Sequence, residues 1–265
     1  MFRPPPPPPF DVREPFWKEA RPGMGGVRIR HRVVLVRHGE SDANLRLMTE
    51  GMAGAAAAEQ EPSLTRVGAS QARDVASHLA LLSNLQGGVF TKIESSPMRR
   101  AWQTAMPSIV ECRPKVALVK YDLRERQSRK PTYEVAAVEE QSEYPSDVPY
   151  VDGGDESTWL YPHETAEEFA ARVTAVTDRW RGEGTVTSRF HTLVFTHSLF
   201  INQILGQPNL FFHLSNGSIT VLDYDEHGDA HVHFVNSVEH LDQTSGHHTA
   251  HQTTSSLKTV MCYSG

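Results

Sequence analysis

Val33-Val34-Leu35-Val36-Arg37-His38-Gly39-Glu40-Ser41 sets four branched apolar residues in a row and then breaks into an arginine, a histidine and a glycine. An unbroken apolar run suits a strand covered on both faces, and open α/β sheets bind their ligands at the carboxyl ends of such strands. Arg37 and His38 therefore stand where an anion would meet an imidazole.

Outward from this run, strand-like and helix-like segments alternate. Further strands are expected at Val89 to Glu94, Val116 to Val119, Thr192 to Thr196, Ser218 to Leu222 and His231 to Val235. The last two are close enough to pair as a hairpin through Asp225 to Gly228, which adds an antiparallel edge. Thr65 reads as a helix N-cap, followed by Ala72, Val75, Ala76, Leu79 and Leu82 on one apolar face. A second helix is expected from Ser96, with Pro97 in its first turn and Pro107 ending or kinking it. Thr165 and Glu168 form a capping box ahead of Phe169, Val173, Val176 and Trp180. Ser198 to Leu205 is the last helix, stopped by Gly206. Leu45 to Pro62 and Lys130 to Pro162 fit neither period and are expected to wall or cover a site. The pattern predicts a three-layer α/β/α fold with a mostly parallel central sheet and an antiparallel edge.

Bulk composition narrows the function. The 265 residues carry 26 lysines and arginines against 32 acids, without a basic block, so no nucleic-acid partner is expected and any anion site must be local. Two cysteines, Cys112 and Cys262, are too few for a disulfide framework and suit a reducing compartment. No stretch resembles a signal peptide or reaches membrane-spanning length, so a cytoplasmic protein with no membrane partner is expected. Three regions are expected: a proline-rich flexible segment over 1–30, a catalytic domain over 31–240 and a polar, histidine-rich flexible tail over 241–265. Pro4 to Pro9 favour a polyproline II rod, either a stiff lead or a docking segment for a proline-recognising partner. His227, His231, His233, His240, His247, His248 and His251 tempt a metal-binding reading, but their spacing fits no closed zinc site. Oligomeric state is not legible.

Phosphoryl transfer to an imidazole needs a neutral histidine in line with phosphorus and fixed positive donors around the equatorial oxygens. Arg37 and His38 supply both. Arg100, near the start of the helix after the second strand, and His197, just past Thr192 to Thr196, occupy the same post-strand position. Asn44 can reach back as a neutral donor. A leaving alkoxide also needs a proton, and Glu125, following the strand Val116 to Val119, is the best-placed carboxyl group. Arg124, Arg126, Arg129 and Lys130 around it are candidates for holding an anionic substrate group. Because arginines and a second histidine can stabilise the oxyanions, neither a metal nor a cofactor is required. Each residue alone has an ordinary reading, as surface arginine, satisfied histidine or solvated carboxylate. Their arrival in order at separate strand ends favours one shared site.

The same residues resemble the histidine phosphatase superfamily, the phosphoglycerate-mutase-like clan, in its first branch. Arg37-His38-Gly39-Glu40-Ser41 with Asn44 is similar to that family's nucleophile loop, and Leu64-Thr65-Arg66-Val67-Gly68-Ala69-Ser70-Gln71-Ala72 to the helix start that follows it. Ser95-Ser96-Pro97-Met98-Arg99-Arg100-Ala101-Trp102-Gln103-Thr104-Ala105 resembles the segment carrying the second phosphate arginine, with Arg100 in register. Leu123-Arg124-Glu125 resembles the proton-donor segment, His197 the second pocket histidine and Asn216-Gly217-Ser218 the turn into a late strand. The resemblance covers Arg32 to Tyr224 and implies a phosphoglycerate-mutase-like fold. It implies a phosphohistidine on His38, phosphate held by Arg37, Asn44, Arg100, His197 and Ser198, and Glu125 as acid and then base. Ser198 stands where the family often has glycine, and a glycine-bearing continuation after Glu125 is missing. The paired arginines that mutases use to grip bisphosphoglycerate are not recognisable. Hydrolysis of small phosphomonoesters is therefore ranked above isomerisation, and a silent interaction protein using Pro4 to Pro9 is ranked last.

Overall fold

The computed structural model describes residues 29–58, 61–85, 90–126, 133–136, 150–152, 158–161, 163–183, 190–206 and 213–241. Pro4 to Pro9, the histidines from His247 onward, Arg129 and Lys130 lie outside the described residues.

The opening strand, β1 (Ile29–Arg37), has Val33, Val34, Leu35 and Val36 fully buried. It runs parallel to β7 (Phe190–Thr196) on one side and antiparallel to β8 (Ile219–Asp225) on the other. The remaining members are β2 (Lys92–Ser95), β3 (Val116–Val119), β5 (Tyr150–Asp152) and β9 (Ala230–Ser237), in the order β5-β3-β2-β7-β1-β8-β9. Five of these strands are parallel, so their carboxyl ends share one edge; β8 and β9 form the antiparallel hairpin. Its turn is closed by the Gly228 N–H on the Asp225 carbonyl at 3.1 Å. A separate pair, β4 (Tyr133–Ala136) with β6 (Thr158–Tyr161), occupies part of the segment Lys130 to Pro162, which has no legible period. In the same segment, β5 extends the main sheet.

Alternation along β1 divides the core between two helical layers. Val34 and Val36 pack with Val75 and Leu79 of α2 (Arg66–Leu85) and Trp102 and Ile109 of α3 (Arg99–Cys112). Val33 and Leu35 pack with Phe169, Val173, Val176 and Trp180 of α4 (Ala166–Gly182) and Phe200 of α5 (Ser198–Leu205). These are the three layers expected. The Thr165–Glu168 capping box is present, and Thr65 Oγ1 accepts the Gly68 N–H at 3.1 Å.

Two expectations need correction. Pro107 does not end its helix, because α3 continues to Cys112, and that helix starts at Arg99 instead of Ser96. Within Leu45 to Pro62 the chain forms α1 (Asp42–Ala57), capped by Ser41 and broken at Gly51, whose φ of 69° no other residue type adopts comfortably. The helical period was hidden because α1 leaves apolar side chains exposed. The histidines of β9 are side-chain partners of β8: His231 of Asp225 at 2.8 Å and His233 of Asp223 at 2.6 Å. His240 stacks on His78 and bonds the Gly217 carbonyl at 2.9 Å.

Asp223 is fully buried and takes a two-pronged bond from Arg32 at 2.6 and 2.5 Å. Burial alone would raise this carboxyl, but the bonds from Arg32 and His233 bring it down from 3.8 to about 2. A depressed carboxylate pKa stabilises the fold fully above the unfolded value, and the contribution is lost as pH falls from 3.8 towards about 2. Asp223→Asn removes the carboxylate charge opposite a buried Arg32 and is expected to cost about 3–5 kcal/mol at pH 7 in urea unfolding. The difference from wild type shrinks in the acid range.

Candidate active site

Backbone bonds beyond the strand ends draw the sequence-predicted residues together. The His38 N–H donates to the Thr196 carbonyl at 3.0 Å, the Ser96 N–H to the Phe195 carbonyl at 2.9 Å and the Lys120 N–H to the Ser95 carbonyl at 2.8 Å. The parallel ladder thus continues into the loops that carry His38, Arg100, His197 and Glu125. On the other side, the Gly217 N–H reaches the Arg37 and His38 carbonyls at 3.1 and 3.2 Å, and Asn216 Nδ2 adds a bond to the His38 carbonyl at 3.1 Å.

Glycine is required twice where the loop crosses α2. A Cβ at Gly39 would stand 2.6 Å from the Gly68 carbonyl oxygen, and one at Gly68 would stand 2.0 Å from the Glu40 carbonyl oxygen. Only bare backbone allows this approach. Thr104 Oγ1 accepts the Gly39 N–H at 3.0 Å, and Gln71 Oε1 accepts the Glu40 N–H at 2.8 Å.

His38 donates from Nδ1 to the Gly39 carbonyl at 2.8 Å, which leaves Nε2 with its lone pair. Arg100 Nε donates to that Nε2 at 3.2 Å. Burial, then Arg100 and Arg37, hold the imidazole well below its ordinary pKa, so it is neutral at pH 7. Arg37 donates from Nη1 to the Leu214 carbonyl, while its buried Nε has no partner among the described residues. Burial pushes this guanidinium down to about 10, with Glu125 opposing, and it stays charged.

The His197 ring lies 5.2 Å from the His38 ring, and burial followed by Arg100 and His38 also depresses its pKa strongly. Ser96 Oγ sits 2.8 Å from His197 Nε2 and accepts the Met98 N–H at 3.2 Å. Among the described residues the Ser96 hydroxyl has no other acceptor for its own proton, so that proton goes to Nε2 and Nδ1 carries the ring's own proton. That Nδ1, like Arg37 Nε, is buried without a partner among the described residues. Two buried donors facing nothing fit a group rich in accepting oxygens.

Glu125 follows a short 3-10 turn, Tyr121–Leu123. Its Oε1 and Oε2 accept the Arg126 and Leu199 N–H groups at 3.3 and 3.4 Å. Burial raises its pKa despite Arg100, these two amides and Arg37. Arg172 of α4 fixes the segment by donating from Nη1 to the Asp122 and Arg124 carbonyls at 2.7 and 3.0 Å, while it grips Glu164 at 2.7 and 2.6 Å. Thr196 Oγ1 bonds the Leu123 carbonyl at 2.8 Å.

Asn44 arrives as expected, but its Oδ1 is taken by Ser41 N–H, Ser41 Oγ and Asn216 Nδ2, so its donor capacity lies in its own amide group. Ser198 opens α5 beside His197. Arg124 is corrected: it is buried and gives Nη2 to Glu164 at 2.9 Å, so it supports the loop instead of facing a substrate. Arg126 donates Nε to the Glu164 carbonyl at 3.4 Å. Ser96, Asn216 and Arg172 are additions. Ser96 and Asn216 sit in the stretches Ser95 to Ala101 and Asn216 to Ser218, where their side-chain roles were not legible; Arg172 gave no signal beyond lying on a helix. Among the described residues no cluster of three or more histidines, cysteines or acids can hold a metal ion.

Ser96→Ala removes the proton donor to His197. In wild type, nitrogen NMR of labelled imidazoles is expected to report His197 as a single Nδ1–H form, and in the variant as a tautomer mixture with unchanged His38 signals.

The description "histidine phosphatase superfamily (branch 1)" belongs to the family model that matches residues 33–237. A search of curated proteins returns no match. Among solved structures, mycobacterial hydrolase 2 superposes with a TM-score of 0.55 at 21% identity, over 82% of this chain and 95% of that one. Phosphoglycerate mutase from Bacillus anthracis superposes with a TM-score of 0.52 at 16% identity, over 81% and 96%. Native mycobacterial glucosyl-3-phosphoglycerate phosphatase does so with a TM-score of 0.50 at 20% identity, over 80% and 100%. At such identities these likenesses establish the fold.

Proposed function

The chain belongs to the histidine phosphatase superfamily, branch 1, and on that premise we propose that it hydrolyses phosphomonoesters through a phosphohistidine on His38. The observation that carries this reading is the neutral His38, locked by Gly39 so that Nε2 meets Arg100. A phosphate oxygen takes over the Arg100 donor, and Nε2 attacks phosphorus as the ester P–O bond breaks. Arg37, Arg100 and the His197 Nδ1–H stabilise the equatorial oxygens, with Asn44 and Ser198 at the margin. Glu125, kept protonated longer than an ordinary carboxyl, gives its proton to the departing alkoxide. Its carboxylate then takes a proton from the water that attacks phosphorus, the P–N bond breaks, and phosphate and free His38 result. The residues present complete this cycle without a bound metal or cofactor.

The mutase alternative needs arginines free to hold a second phosphate near the acid. Arg124 is committed to Glu164, and Arg126 spends one donor on the same residue, which favours hydrolysis.

His38→Ala is expected to abolish turnover and the acid-labile phosphoprotein trapped by rapid acid quench. Full p-nitrophenyl phosphate hydrolysis by this variant would overturn the reading. The dependence of kcat/KM on pH is expected to be bell-shaped. Its acid limb lies well below 6.5, because His38 must lose its proton and holds it weakly; its basic limb appears as Glu125 deprotonates above the ordinary carboxylate range. Glu125→Gln removes the basic limb and lowers turnover of alkyl phosphates by about 10²–10⁴. Formation of the phosphoenzyme from p-nitrophenyl phosphate suffers far less, since its leaving group needs no proton.

A further inference from the structure

The first helix beyond the nucleophile loop turns an apolar side to solvent. Among the described residues, Leu45, Leu47, Met48, Met52, Leu81 and Val110 are the exposed large apolar side chains, and the first four lie on α1. Leu47 and Met48 are 42% and 38% exposed. Scattered exposed apolar residues are ordinary, but a cluster rimmed by polar groups marks a binding surface.

Helix geometry relates this cluster to the phosphate pocket. Asn44 faces the pocket turn, because its Oδ1 is bonded to Asn216 Nδ2, whose other bond is to the His38 carbonyl. Residues three, four and seven further on lie on the same helix side, and one turn rises about 5.4 Å. Leu47, Met48 and Gly51 therefore continue the Asn44 side outward from the pocket floor. A Cβ placed on Gly51 would meet nothing within 4 Å, so the stripe ends in open space. Two polar residues of α1 are satisfied locally, Arg46 with Asp42 at 2.8 Å and Thr49 with the Leu45 carbonyl at 3.0 Å. Across the pocket, Arg124 is withdrawn into its pair with Glu164. Leu47 and Met48 thus present hydrocarbon on the Asn44 side of the phosphate position, and methionine adapts to variable shapes.

We infer that Leu47 and Met48 bind the alcohol part of the substrate, and that the enzyme prefers phosphomonoesters of apolar alcohols over phosphorylated sugars and other polyols. This rests on the hydrolytic reading above and names the substrate class for the same site.

The test is kcat/KM for a series of straight-chain alkyl phosphates from methyl to octyl, beside glycerol 3-phosphate and glucose 6-phosphate. For the full-length protein, kcat/KM is expected to rise two- to fourfold per methylene until the stripe is covered, and octyl phosphate to exceed glycerol 3-phosphate by at least a hundredfold. The double variant Leu47→Ser, Met48→Ser should flatten the series. Both residues lie outside the two cores, so its melting temperature should match wild type and the loss can be read as specificity. A flat wild-type series, or a preference for the polyol esters, overturns the inference. So does a steep series that the double variant leaves unchanged, which would place the apolar contact on another segment. Failure of the hydrolytic reading is recognised separately, as the absence of acid-trapped phosphohistidine with every ester in the panel.

Discussion

Arg37 and Arg100 stand beside His38 in a space largely closed to water, and the imidazole remains neutral first because burial disfavours its charged form and then because a third positive charge there is unfavourable. An imidazole attacks phosphorus only with a free lone pair, whereas cations hold phosphate more strongly than neutral donors do. Placing both kinds within bonding distance satisfies the two demands together, since each cation keeps the proton off the histidine. Burial and Arg100 act on His197 in the same direction. Glu125 answers to the opposite balance: burial raises its pKa, and the neighbouring arginines and amides limit the rise. A base poised low and an acid poised high can coexist in one pocket because desolvation moves the two group types in opposite senses.

Holding these charges close costs stability, and the scaffold supplies rigid supports outside the pocket. The ladder across β1, β7, β2 and β3 runs on through His38, Ser96 and Lys120 after the strands end, so loop residues inherit the sheet's spacing. Gly39 and Gly68 let the loop after β1 lie on the first turn of α2 at a separation no side chain permits. On the far side of the sheet, Arg172 ties α4 to the Asp122 and Arg124 carbonyls just ahead of Glu125 while Glu164 neutralises it. Away from the site, Asp223 with Arg32 and Glu94 with Lys92 and Arg179 are buried pairs of the same construction. These pairs anchor sheet and helices without entering the chemistry.

Legibility followed the physics of each signal. β1 was readable because burial on both faces leaves a contiguous apolar run, and α4 because its capping box and apolar period agree. Arg37, His38, Arg100, Glu125 and His197 were readable as candidates because a strand's carboxyl end is a predictable place. α1 was not, since its apolar residues face solvent and its period breaks at Gly51. Arg124 was misread as a substrate contact. Nothing local distinguishes an arginine facing solvent from one paired with an acid forty residues away.

The amino-acid sequence by itself determined the layered α/β/α architecture, the strand ends that carry chemistry and the family to which the chain is similar. These depend on short-range periodicity and on residue types at fixed spacings, which are written along the chain. Only the tertiary structure decided that Ser96 orients His197, that Arg172 and Glu164 brace the segment before Glu125, and that Leu47 and Met48 continue outward from Asn44. Each of those depends on a distance between segments, or on a side chain's direction. Sheet order and helix packing fix such quantities, because a hydrogen bond or a desolvated charge acts over ångströms in space whatever the separation in sequence.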